Sequence, residues 1–182
     1  MTMILGLSLG LLSPAVLQAA TPAQQVFETK ALKLVLIPRS AQQMAAFYEG
    51  RGFPAEAISQ TREACFFTVG LHNKTQGSLW LDTANWQFQT DDGGPLQAIS
   101  REAWQQRWQA MKLPLAYQST FRWTLLPAEL DFQPDEREGG NITLPRTDKA
   151  FTLKARFATG KDRQGPAIHV EMKNLRCAGD SP

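Results

Sequence analysis

The chain of 182 residues carries 19 Lys and Arg against 17 Asp and Glu, a formal charge of +2, with 43% apolar and 9% aromatic residues. That content belongs to a folded globular chain and excludes a disordered tail. Acidic and basic side chains are interspersed with no long block of like charge, so nothing here forms an electrostatic footprint for nucleic acid.

Met1 to Ala20 holds no charged side chain. Met3–Leu12 has the size of a signal h-region, Pro14 breaks the run, and Leu17, Gln18, Ala19 and Ala20 offer small residues for cleavage. The reading is a signal peptide over 1–20 and a single exported domain over 21–182. The rival is a retained anchor. It needs about 20 apolar residues, and Ser13, Pro14 and Gln18 shorten the useful stretch.

Leu32, Leu34 and Leu36 open the mature pattern as a strand ending at Pro38. Ser40 with Gln43 three residues on is a capping-box pattern, predicting a helix through Met44, Phe47 and Tyr48 that stops at Gly50. Pro54 opens a second helix running through Ile58 toward Ala64. The two form a helical hairpin over about 40–64, ahead of a β region over about 65–177.

Cys65–Leu71 reads as a strand, 72–77 as a polar turn, and Ser78–Gln89 as a second strand carrying Leu79, Trp80, Leu81, Trp86 and Phe88. Asp91-Asp92-Gly93-Gly94-Pro95 is a break. Ser100 caps a third helix with Trp104, Trp108 and Met111 along one face, and Pro114 ends it. Phe121, Trp123 and Leu125 alternate with Thr120, Arg122 and Thr124, which predicts a strand with Trp123 turned to the core. Ile142 and Leu144, then Phe151–Phe157, then Ile168–Lys173 read as further strands. About seven strands separated by turn clusters argue for an antiparallel β-sandwich or barrel. In an exported chain of this kind, Cys65 and Cys177 pair with each other as a structural staple.

The order from Phe66 to Arg176 resembles that of bacterial extracytoplasmic immunoglobulin-like domains. The likeness lies in the strand and turn Phe67–Lys74, the Pro134–Gly140 stretch, and the longer strand Phe151–Phe157 behind it. It implies an immunoglobulin-like β-sandwich of about seven strands serving as a binding or assembly module. The helical hairpin and the Trp-bearing helix depart from such a domain.

No grouping of residues reads as catalytic. There is no Gly-x-Ser-x-Gly elbow, and Gly50-Arg51-Gly52 lacks the context of a phosphate loop. His72 and His169, with Met44, Met111 and Met172, are weak candidates for a soft-metal site, because no ligand spacing is met. Asp91-Asp92 and the Asp135–Glu138 acids read as solvated turns rather than calcium loops. Asn73-Lys74-Thr75 and Asn141-Ile142-Thr143 match the glycosylation acceptor pattern but carry no weight in a bacterial chain. The expectation is a non-enzymatic module that needs no cofactor. It binds another envelope protein through Phe47, Tyr48, Arg51 and Phe53 on the helical hairpin, with no nucleic acid partner and no membrane span once the leader is removed. The alternative is a periplasmic protein that binds a small ligand or metal through His72, His169 or the tryptophans.

Overall fold

The computed structural model describes residues 23–179. The signal peptide expected over 1–20 lies outside them. β1 (Gln25–Glu28) and β2 (Leu32–Arg39) form a hairpin, α1 (Ala41–Glu49) and α2 (Ala55–Arg62) follow, and β3 (Ala64–Asn73) returns antiparallel to β2. Next come β4 (Leu79–Asp82), a 3-10 turn at Thr83–Asn85, β5 (Gln87–Thr90) and the short β6 (Pro95–Leu96). α3 (Arg101–Ala110) and α4 (Leu115–Thr124) lead into β7 (Glu129–Phe132), β8 (Arg137–Pro145), β9 (Phe151–Thr159) and β10 (Gly165–Leu175).

Two antiparallel sheets result. One has the order β1-β2-β3-β8. In the other, β9 pairs with β10 on one edge and with both β5 and β4 on the other, and these in turn carry β6 and β7. The β-rich architecture read from the sequence is therefore present. Among the described residues there are ten strands rather than about seven, and four α-helices rather than three.

Alternation decides which face each strand buries. Leu32, Leu34 and Leu36 of β2 share one apolar core with Phe67, Val69 and Leu71 of β3 and with Phe151, Leu153 and Phe157 of the opposite sheet. Asn73 is fully buried at the edge of that core. Its Nδ2 donates to the carbonyls of Gly77, Phe132 and Gln133, tying β3 to the end of β7. Its Oδ1 accepts from the backbone N–H and hydroxyl of Thr75. That use of every polar atom is why an amide can be buried there. Cys65 and Cys177 are bonded, with Cα atoms 5.4 Å apart, tying β3 to the segment beyond β10.

A second core lies on the other face of β3. Ala64 and Phe66 point away from the opposite sheet and pack with Tyr48 of α1, Phe53 of the α1–α2 loop, Trp104 and Trp108 of α3, and Phe121 of α4. The capping box forms as expected: Gln43 N–H donates to Ser40 Oγ, and Ser40 N–H donates to Gln43 Oε1. Thr124 donates its hydroxyl proton to Phe121 O, so Tyr48 is the donor in the 2.8 Å contact between the two hydroxyls. In α3, Trp104 Nε1 donates to Thr143 Oγ1, which donates in turn to Ile99 O. That chain pins the helix to β8.

Three sequence expectations are corrected. Residues 115–124 form α4, not a strand, and Trp123 is 87% exposed instead of buried. Leu113, Tyr117, Phe121 and Leu125 recur every four residues and pack in the helical core, and that period overrides the local alternation. Pro114 ends nothing by itself; it is the N-cap of the next helix. Ser78–Gln89 is not continuous, because Asp82 accepts from Ala84 N–H and turns the chain through Thr83–Asn85.

The disulfide links residues 112 apart in sequence. Replacing both cysteines with Ala is expected to lower the unfolding free energy by about 2–5 kcal/mol in guanidinium titrations; thiols that alkylate without prior reduction would contradict the pairing. Burial holds the Tyr48 phenol above its usual range, against a smaller opposing effect of the Thr124 hydrogen bond. The unfolded chain therefore loses this proton first. Stability is intact below pH about 10 and falls above it, by at most about 1.4 kcal/mol per pH unit. Tyr48→Phe should flatten that alkaline limb at a cost of about 1 kcal/mol near neutrality, and an unaltered limb in pH-resolved urea melts would refute the assignment.

Candidate functional site

The second sheet leaves a gap on one edge. β7 pairs with β4 through Asp82, while β6 pairs with β5 only at Phe88 and Gln89. Gln87 has a strand neighbour in β9 but none on the β6 side. A cleft of about 660 Å³ opens at this gap, with Trp86, Phe88, Leu96, Ile99, Arg101 and Leu126 among its walls. Its rim is mixed in charge, with Asp82 and Glu129 toward one end and Lys154 on β9.

The wall on the helical side is held by backbone. Ile99 N–H donates to Thr143 O, and Leu126 N–H donates to Asn141 O, so the free edge of β8 anchors the loops before α3 and after α4. Gly140 makes the second contact possible. A Cβ there would lie 2.5 Å from Leu126 N and 2.6 Å from its Cα, so any side chain would push the segment off the sheet.

Polar satisfaction fails at this site. Trp86 Nε1 is buried and has no acceptor. So is Arg101 Nε, although the Arg101 Nη2 group donates to Leu125 O. An orphaned buried donor costs about 1–3 kcal/mol relative to a satisfied one. Burial first, and then the neighbouring positive charge of Arg122, disfavour the charged form of Arg101.

The residues singled out in the sequence do not assemble into one site. Of the four expected contact residues, Tyr48 and Phe53 are 0% and 5% exposed and belong to the helical core, so they are withdrawn as surface contacts. Arg51 is exposed, lies 3.5 Å from the centroid of the half-buried Phe47 ring, and donates to Phe47 O. That pair closes the C-terminus of α1. His72 stands on β3, 2.5 Å from Asp135 Oδ1, and that contact holds the Asp135 carboxyl below its usual range. His169 is exposed on β10 in the other sheet, opposite Arg156. Among the described residues no group of three or more His, Cys, Asp or Glu is placed to hold a metal. In the acidic turn, hydrogen bonds from Lys149 and Thr90 hold the Asp92 carboxyl down at about 2. The cleft itself was missed because its polar signal, an indole without an acceptor, exists only once Trp86 is buried.

No helix among the described residues is long and apolar enough to cross a membrane. No family model matches the chain, and no curated protein matches it. Similar solved structures include the yjhA protein of Bacillus subtilis, at 8% identity and a TM-score of 0.41, covering 72% of this chain and 76% of that one. The ycdA protein of Bacillus subtilis subsp. subtilis strain 168 is similar at 9% identity and a TM-score of 0.43, covering 84% of this chain but 39% of that one. Neither likeness bears on function.

Because Trp86 Nε1 has no acceptor, Trp86→Phe relieves an orphan donor while losing part of a packed ring, and the two should nearly cancel, within about 1 kcal/mol. A loss of more than about 2 kcal/mol in thermal or urea melts would mean that the indole N–H already has a partner.

Proposed function

We propose that the chain is an exported, non-catalytic binding module that receives an extended segment of another envelope protein in the cleft between β6 and β7. One observation carries this reading: the β4–β5 edge is left without a strand neighbour at Gln87, beside an apolar wall that contains an unpartnered indole donor. An extended peptide offers what such an edge lacks, with main-chain groups for the strand and alternate side chains for the wall. A carbonyl of the segment would accept from Trp86 Nε1.

The disulfide supports the exported part of the reading, since such bonds persist in oxidising compartments. The two antiparallel sheets around one core support an immunoglobulin-like module, with the four helices as an addition on one face. The contact surface moves from the α1–α2 hairpin to the cleft, because the hairpin aromatics are core residues. A small amphipathic ligand is the second reading. The cleft volume favours it, falling within the range of about 300–1,000 Å³ typical of small-molecule sites.

A photo-crosslinking residue at Gln87, introduced in the host, should give a polypeptide adduct that the same residue at Ser59 on α2 does not. Trp86→Phe should weaken that adduct about tenfold while leaving the protein folded. Equal adducts at both positions would overturn the reading. A native mass carrying a bound small molecule, with no polypeptide adduct, would assign the cleft to the second reading instead.

A further inference from the structure

A smaller hollow of about 80 Å³ lies between α3 and α4, on the other side of Arg101 and Leu125 from the cleft. Arg101, Trp104, Trp108, Gln118, Arg122 and Leu125 are among its walls. We propose that this hollow binds a small oxyanion of the phosphate or sulfate class, held by the indole N–H of Trp108 and the guanidinium groups of Arg101 and Arg122.

Three observations converge on it. Among the described residues, three buried side-chain donors have no acceptor, and two of them, Arg101 Nε and Trp108 Nε1, sit on side chains that wall this hollow. Trp108 is 1% exposed, stacked on Trp104 and edge-on to Phe121, so its N–H cannot turn out to water. Buried donors of this kind keep a partner in folded proteins, whether ordered water or a bound group.

Charge identifies the partner. Arg101 and Arg122 repel one another across the hollow, and neither takes part in an ion pair among the described residues. Glu102 stands close to both, yet its carboxylate is committed to its own backbone N–H and the Ser100 hydroxyl at the start of α3. Water would satisfy the N–H groups and leave one carboxylate, Glu102, to offset the two guanidinium charges. An oxyanion satisfies the donors and neutralises the charges together, through charge-assisted hydrogen bonds that guanidinium geometry suits. The volume sets the size, with room for a single tetrahedral anion or a few waters.

The oxyanion can be a free ion or the headgroup of a lipid. Leu115, at the wall of the hollow, is 75% exposed, and Trp123, beside Arg122, is exposed as well. An exposed leucine at the wall of a cationic hollow fits either source, and the experiment separates them.

The test is a thermal melt of the intact protein in sodium phosphate or sulfate against sodium chloride at equal ionic strength. It is run on the natural sequence, on Trp108→Phe, which removes the donor together with part of a buried ring, and on Arg122→Gln, which changes an exposed side chain. Phosphate and sulfate are expected to raise the melting temperature with saturation, and each variant should need about tenfold more anion for the same rise. If Trp108→Phe fails to fold in chloride, Arg122→Gln alone decides. No rise beyond that in chloride, or the same rise in the variants, would overturn the proposal and leave a water-filled hollow. Vesicles of phosphatidylcholine with and without phosphatidylglycerol then identify the source. Sedimentation with the anionic vesicles that phosphate displaces assigns the headgroup, and a phosphate response without sedimentation assigns the free ion. Sedimentation that neither phosphate nor Trp108→Phe affects, with no phosphate response in the melt, also overturns it.

Discussion

β3 is buried on both faces along its first half, and both cores depend on that strand. Successive side chains in a strand point to opposite sides, so Cys65, Phe67, Val69 and Leu71 enter the space between the sheets while Ala64 and Phe66 enter the helical core. The run Ala64-Cys65-Phe66-Phe67 is accordingly apolar without alternation, as expected of a strand covered on both sides. Further along, the outer positions become Thr68, Gly70 and His72, where the helices no longer cover the sheet. The disulfide at Cys65 and the amide of Asn73 fasten the two ends of β3 to the segment beyond β10 and to the end of β7.

The cleft follows from this arrangement. α3 and α4 pack on β3 through Phe66, and their flanking loops reach β8, the neighbour of β3, through Ile99 and Leu126. Those loops then stand opposite the edge of β5, with the gap between β6 and β7 beneath them. One wall therefore belongs to each layer, and its width depends on how firmly β3 holds the layers together. Arg101 stands at the boundary, lining both the cleft and the hollow between the helices.

Much of the chain was legible in the sequence. Period-two runs located β2, β9 and β10, Ser40 with Gln43 marked the start of α1, and Ser100 marked the start of α3. The failures have physical causes. In 120–125 a short alternation competes with a four-residue period, and burial against Trp104 and Tyr48 favours the helix. β1 and β7 have four residues each, too few to establish a period, and their partners define them. Tyr48 and Phe53 look like surface residues on an isolated hairpin, and the sheet face they cover exists only with β3 in place. The orphaned donors of Trp86, Arg101 and Trp108 have no sequence signature, since each is defined by the absence of an acceptor in the packed structure.

The central claim is that β3 makes the two layers one body, so that the cleft is formed before anything binds. Native-state amide hydrogen exchange tests it directly. The amides of β3, those of α3 and α4 at Trp104 and Phe121, and those of Ile99 and Leu126 should all exchange at the free energy of global unfolding. Helical amides that exchange well below that value, together with Ile99 and Leu126, would show a helical layer that opens independently and a cleft that is not preformed.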